Sequence, residues 1–156
     1  MRTVVIGLGN PFLSDDSVGL KVVHAVSNRL NSSMNAETSL LHTGGISLME
    51  AMAGFERAVV VDAPVTGQAE PGAIHRLRCS DLLATKNTHS SHDSSLAVAL
   101  ELGKMAGLQL PAQVLVWAIE AGDVITFGDR LTPAVAEAVP LVVNEIVDGV
   151  LKGEHV

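Results

Sequence analysis

Three short apolar runs, TVVIG (3–7), RAVVVDAP (57–64) and QVLVWAIE (113–120), are continuous rather than alternating. A strand with one wet face alternates apolar and polar residues, and a strand covered on both faces does not. These runs therefore predict a mostly parallel sheet with helices on both sides. Gly7 closes the first run, and Asp62 ends the third strand abruptly ahead of Pro64, which bars continuation. From Asp16, Val18, Val22, Val23, Val26 and Leu30 recur at helical spacing and predict a helix ending near Asn31-Ser32-Ser33. ETSLLHTGG (37–45) reads as the second strand, and Ser47 with Glu50 as a capping box for a short helix that stops at Gly54. GAIHRLR (72–78), after a Pro-Gly turn, reads as an antiparallel edge strand. Asp93, Ser94 and Ser95 are capping candidates for a helix over LAVALELGKMAG (96–107). Thr132-Pro133 opens the last helix with an N-cap residue and a proline at the first helical position. Val135, Val139, Val142, Val143, Ile146, Val147 and Val150 form its apolar stripe. The order β-α-β-α-β-β-α-β-α over 1–156 predicts one α/β domain, doubly wound.

A chain of 156 residues, 47% of them hydrophobic, can bury a substantial core as one unit. Its net charge of −7 offers no basic footprint for nucleic acid or anionic lipid, so the expected partner is a protein or a small molecule. Cys79 is the only cysteine, which excludes an internal disulfide framework and a cysteine-only zinc site. The apolar stretch near the N-terminus is broken by Gly7, Gly9 and two acids, too early for a signal-peptide core, and no run approaches the ~20 apolar residues of a membrane span. A soluble cytoplasmic protein is expected.

In an open α/β sheet, ligands sit beyond the carboxyl ends of the strands, which puts Gly9-Asn10, Asp62 and Glu120 at one rim. A dinucleotide fingerprint fails because Phe12 stands where the third glycine of G-x-G-x-x-G belongs, and Asp15 with Asp16 at the helix start would repel a pyrophosphate. There is no G-x-S-x-G elbow and no H-E-x-x-H pair. Cys79, a lone cysteine beside Arg78, has no signature of a lowered pKa. What remains is Asp16, Asp62 and either His92 or His89 of THSSHD, an incomplete oxygen and nitrogen set for a borderline divalent ion that leaves coordination positions open. Each has a plainer reading. Asp15 and Asp16 can cap the helix they begin and favour its dipole, Asp62 can satisfy loop amides, and the histidines can be solvated. Glu120 shares the rim but nothing nearby is expected to depend on it.

Taken together, GLGNPFLSDDSVG (7–19), TGG (43–45), VVVDA (59–63), PG (71–72), SSHDSSL (90–96) and IEAGDVITFGDRLTPAVAEAVP (119–140) resemble the hydrogenase maturation proteases over nearly the whole chain. The resemblance implies a five-stranded twisted α/β sheet. It also implies an endopeptidase that removes a C-terminal extension from the precursor of a nickel–iron hydrogenase large subunit after nickel insertion. By motif it assigns metal contact to Asp16, Asp62 and His92, the ion being nickel carried by the substrate subunit, with other divalent cations as possible substitutes. Glu120-Ala121 departs from the Glu-Pro that the family often carries near the last strand. Two rivals from other classes are a receiver-like phosphoacceptor domain, which also pairs two early acids with an aspartate closing strand three, and a non-catalytic metal-delivery or scaffold protein. A receiver would want a lysine at the end of its last strand, where this chain has Glu120-Ala121-Gly122.

Overall fold

A computed structural model describes residues 1–78 and 91–153, with the backbone alone for 91–95. Five strands, β1 (Thr3–Leu8), β2 (Ala36–Leu41), β3 (Arg57–Asp62), β4 (Ile74–Arg78) and β5 (Gln113–Ile119), form one sheet in the order β2-β1-β3-β5-β4. All pairings are parallel except β4 with β5, so the antiparallel edge strand stands as expected from its poor alternation. Among the described residues four helices flank the sheet: α1 (Val18–Ser27), α2 (Ile46–Met52), α3 (Ser91–Met105) and α4 (Pro133–Asn144), the last continuing as a π-helix over Glu145–Leu151.

The continuous apolar strands divide their residues between two cores. Val5, Val59, Val61, Trp117 and Ile119 face α1 and α4, together with the expected stripe of Val135, Val142, Val143, Ile146 and Val147. Val4, Ile6, Leu8, Ala58, Val60, Val114 and Val116 face α2 and α3, meeting Leu48, Met52, Leu96 and Ala99. Both faces are covered, which is why no polar residue interrupts β1, β3 or β5 at alternate positions. Successive strands first wind outward to β2 and then cross to β3 on the other side of β1. The direction of winding therefore reverses between β1 and β3, and the ligand crevice of such a sheet opens at that switch point.

Several local expectations are corrected. The helix predicted from Asp16 begins as a single 3-10 turn, Asp15–Ser17, and α1 ends at Ser27 rather than near Asn31, where a second 3-10 turn occupies Ser32–Met34. Its left-handed exit at Asn35 (φ 49°) marks the break. The second strand is shorter than 37–45 and stops at Leu41. No capping box forms at Ser47: α2 already begins at Ile46, its N-cap is Gly45 and no side chain caps it. The helix expected at 96–107 starts at Ser91, so Asp93, Ser94 and Ser95 lie within it rather than ahead of it. Among the described residues no helix is long and apolar enough to cross a membrane.

Candidate functional site at the sheet switch point

The crevice between β1 and β3 is built by glycines that let α1 settle onto the strand ends. A Cβ on Gly19 would lie 2.5 Å from the Val61 carbonyl oxygen and 2.6 Å from that of Leu8, distances no side-chain carbon tolerates. A Cβ on Gly7 would meet the Gly19 carbonyl oxygen at 2.5 Å, and one on Gly9 would meet the Asp16 oxygen at 2.0 Å. The Gly-rich turn is thus a close-packing device that seats the start of α1 over the carboxyl ends of β1 and β3. Phosphate is not what it serves.

That seating brings the two expected aspartates to the same rim. Asp16, half-buried in the 3-10 turn, accepts a hydrogen bond from Asn10 N (3.0 Å), which ties it to the residue just past β1. Asp62 ends β3, is 5% exposed, and accepts from Ala63 N at 2.8 Å. The third expected group, His92, belongs to the first turn of α3, and its side chain lies outside the described residues, as do His89 and Cys79. The chain after α3 returns at the amino edge, where Gly54 N donates to Gln109 O and Ala112 N to Glu56 O. A helix of 15 residues is about 22 Å long, so the opposite end of α3 starts near the carboxyl rim. Among the described residues no three His, Cys, Asp or Glu side chains converge as a ready-made cation site.

Two other buried carboxylates sit at this rim, and both are structural. Asp15, expected to cap its own helix, does something else. Its Oδ2 accepts from Gly122 N, Asp123 N and Thr132 Oγ1, and its Oδ1 from Thr132 N, each at 2.8 Å. Four donors satisfy a fully buried carboxylate without any cation. Thr132 does stand at the N-cap of α4, with Pro133 following, but its hydroxyl serves Asp15 and not the helix. Glu120 was expected to support nothing nearby, yet its carboxylate accepts from Thr66 N (2.9 Å) and from the Thr66 hydroxyl. Most of these donors are backbone N–H groups, which carry no side-chain signature. The one readable hint is the small-residue turn Ala121-Gly122 following an acid at a strand end.

The chain's relatives agree with this architecture. The family model for hydrogenase maturation proteases matches residues 20–149, a stretch that includes Asp62 and His92 and begins just after the turn holding Asp16. The Hydrogenase 2 maturation protease of Escherichia coli (strain K12) is 31% identical over 108 residues, covering 69% of this chain and 66% of that protein. The hydrogenase expression/formation protein HupD of Thiocapsa roseopersicina is 27% identical over 139 residues, covering 87% of this chain and 62% of its own length. The chain thus spans just under two thirds of these two relatives. The solved hydrogenase maturating endopeptidase HybD of E. coli superposes with a TM-score of 0.82 at 26% identity, over 98% of this chain and 93% of that one. A shared sheet, matched almost end to end, and a family model spanning most of the sequence lead to one assignment: the chain belongs to the hydrogenase maturation protease family.

Proposed function

We propose that the chain is an endopeptidase that cuts the C-terminal extension from the precursor of a nickel–iron hydrogenase large subunit once nickel has been inserted. Nickel is part of the substrate in this reading. Asp16, Asp62 and His92 complete the ion's coordination when the precursor docks, and the scissile peptide is hydrolysed beside it. Two carboxylates and one imidazole suit a borderline divalent ion and leave positions for the ligands the substrate already supplies, so other divalent cations can occupy the same set. What supports the proposal is that both aspartates belong to the carboxyl side of the β1/β3 switch point, Asp16 hydrogen-bonded to Asn10 just past β1 and Asp62 as the last residue of β3. Membership of the family and the endopeptidase activity named for its relatives support the reaction. The single cysteine supports a cytoplasmic setting.

The test incubates the protein with nickel-loaded and nickel-free precursor and follows the mass of the large subunit. Cleavage of the loaded form alone is expected, and equal cleavage of both refutes nickel sensing. Nickel-dependent binding without any change in mass would instead describe a delivery or scaffold protein. The receiver alternative is disfavoured by topology, because receivers follow a 2-1-3-4-5 strand order, whereas here β5 lies inside an antiparallel β4. Labelling of Asp62 by acetyl phosphate would revive it.

A further inference from the structure

The four residues that follow β5 join two loops that are otherwise far apart in sequence. On one side, Gly122 N and Asp123 N donate to Asp15 Oδ2, while Asp15 N donates to Asp123 O at 2.8 Å. On the other, Ala121 N donates to Pro64 O at 2.9 Å and Glu120 accepts from Thr66 N at 2.9 Å. Asp15 is the immediate neighbour of Asp16, and Pro64 stands two residues beyond Asp62. Segment 120–123 therefore ties the loop bearing Asp16 to the loop leaving Asp62. Space around it is tight: a Cβ on Gly122 would approach Asp15 Oδ2 to 3.3 Å and Pro71 to 3.2 Å.

We propose that Asp15 is a positioning residue for precursor cleavage: through segment 120–123 it sets the placement of Asp16 relative to Asp62 before the metal-bearing substrate arrives. The inference rests on the reading of those two aspartates as the metal-contacting pair. Its physical basis is the rigidity of a buried carboxylate with four donors, two of them on the segment that also grips the Asp62 loop. A fixed gap between two ligands removes the reorganisation that a mobile pair would undergo on meeting the ion.

The test compares steady-state cleavage of nickel-loaded precursor by the wild type and five variants. In Asp15→Asn the least harmful orientation turns the amide nitrogen toward Thr132 N–H, losing that bond and loosening the clamp. Its kcat is expected to fall about tenfold or more with KM within about twofold, as for a group acting on the reacting geometry and not on docking. Thr132→Val removes only the hydroxyl donor to Asp15 and should lower kcat about threefold, while Thr132→Ser restores the donor and should stay near wild type. Val147→Ala, in the buried π-helical continuation of α4, serves as the matched stability control, since it lowers the melting temperature without touching the rim. Asp15→Asn cleaving as fast as Val147→Ala at a temperature where both are folded overturns the proposal. Should Asp15→Asn fail to fold, equal rates for Thr132→Val and Thr132→Ser overturn it. Asp62→Ala separates the two readings: if it cleaves at the wild-type rate, the metal-contacting pair itself is wrong and the proposal falls with it. If Asp62→Ala is inactive and Asp15→Asn is normal, positioning alone is refuted.

Discussion

Gly19→Ala is a one-carbon probe of how the site is assembled. The added Cβ falls 2.5 Å from the Val61 carbonyl oxygen and 2.6 Å from that of Leu8, whereas ordinary contact begins at 3.4 Å. Both obstacles are backbone of the central strands β1 and β3, so neither can rotate away, and the start of α1 must withdraw by nearly 1 Å. Overpacking of this kind costs about 1–3 kcal/mol. The better helix propensity of alanine offsets up to about 1 kcal/mol of it. At about 2–4 °C per kcal/mol for a chain of this size, Tm should fall by several degrees. Asp16 lies three residues before Gly19 and moves with it, and a displacement of about 1 Å in a reacting geometry is worth on the order of 100-fold in rate. Gly19→Ala should therefore lower kcat/KM for nickel-loaded precursor by about 10- to 100-fold, beyond what its loss of stability explains. Gly103→Ala is the control. It sits inside α3, and its Cβ would meet only the flexible end of Leu110 at 2.6 Å, so stability should hold or rise and cleavage should not change. Calorimetry and mass-spectrometric cleavage assays read both variants. A Gly19→Ala protein that melts within about 1 °C of wild type and cleaves at the same rate would refute the close-seating account.

Asp62→Ala should abolish processing while lowering Tm by only a few degrees; global unfolding of the variant in circular dichroism would point to a structural role instead. Glu120→Ala strips the acceptor from both the amide and the hydroxyl of Thr66 and should cost about 1–3 kcal/mol, visible as a lower urea midpoint. An unchanged midpoint would contradict that bond's importance. Glu145 takes hydrogen bonds from Arg76 and from Trp117 Nε1. The Arg76 bond, the largest influence, holds its carboxyl below the ordinary glutamate range, with burial opposing. Because the folded value is depressed, the unfolded chain takes up the proton first. The stabilisation is full above the ordinary glutamate range and lost as pH falls through the folded value. Glu145→Gln should flatten the decline of stability on acidification below about pH 5, by no more than about 1 kcal/mol because Arg76 is half exposed. Parallel acid-denaturation curves for the two proteins would count against the interaction.

Element type and order were legible because burial on both faces leaves its mark on strand composition: Val59-Val60-Val61 admits no polar residue when helices cover both sides. Boundaries were less so. Ser47 and Glu50 have the right spacing for a capping box, but the chain enters α2 at Gly45 with φ 66°, two residues too early for Ser47 to cap it. Asp15 illustrates the larger gap. Beside Asp16 in sequence it looks like the same device, yet its partners lie 107 to 117 residues away and most are backbone amides that any residue except proline would supply.

By itself, the sequence determined that this chain forms a covered, mostly parallel α/β sheet with acids at the helix start that follows its first strand and at the end of its third strand, because apolar continuity and chain breaks are local properties. Only tertiary structure decided that winding reverses between those two strands and that Gly7 and Gly19 let α1 close over the gap. It alone showed that Asp15 is consumed in a clamp across the rim and not in capping its own helix, while Asp16 is tied to Asn10. The physical reason is that a carboxylate's task is set by which donors surround it, and those donors come from chain segments the sequence holds far apart.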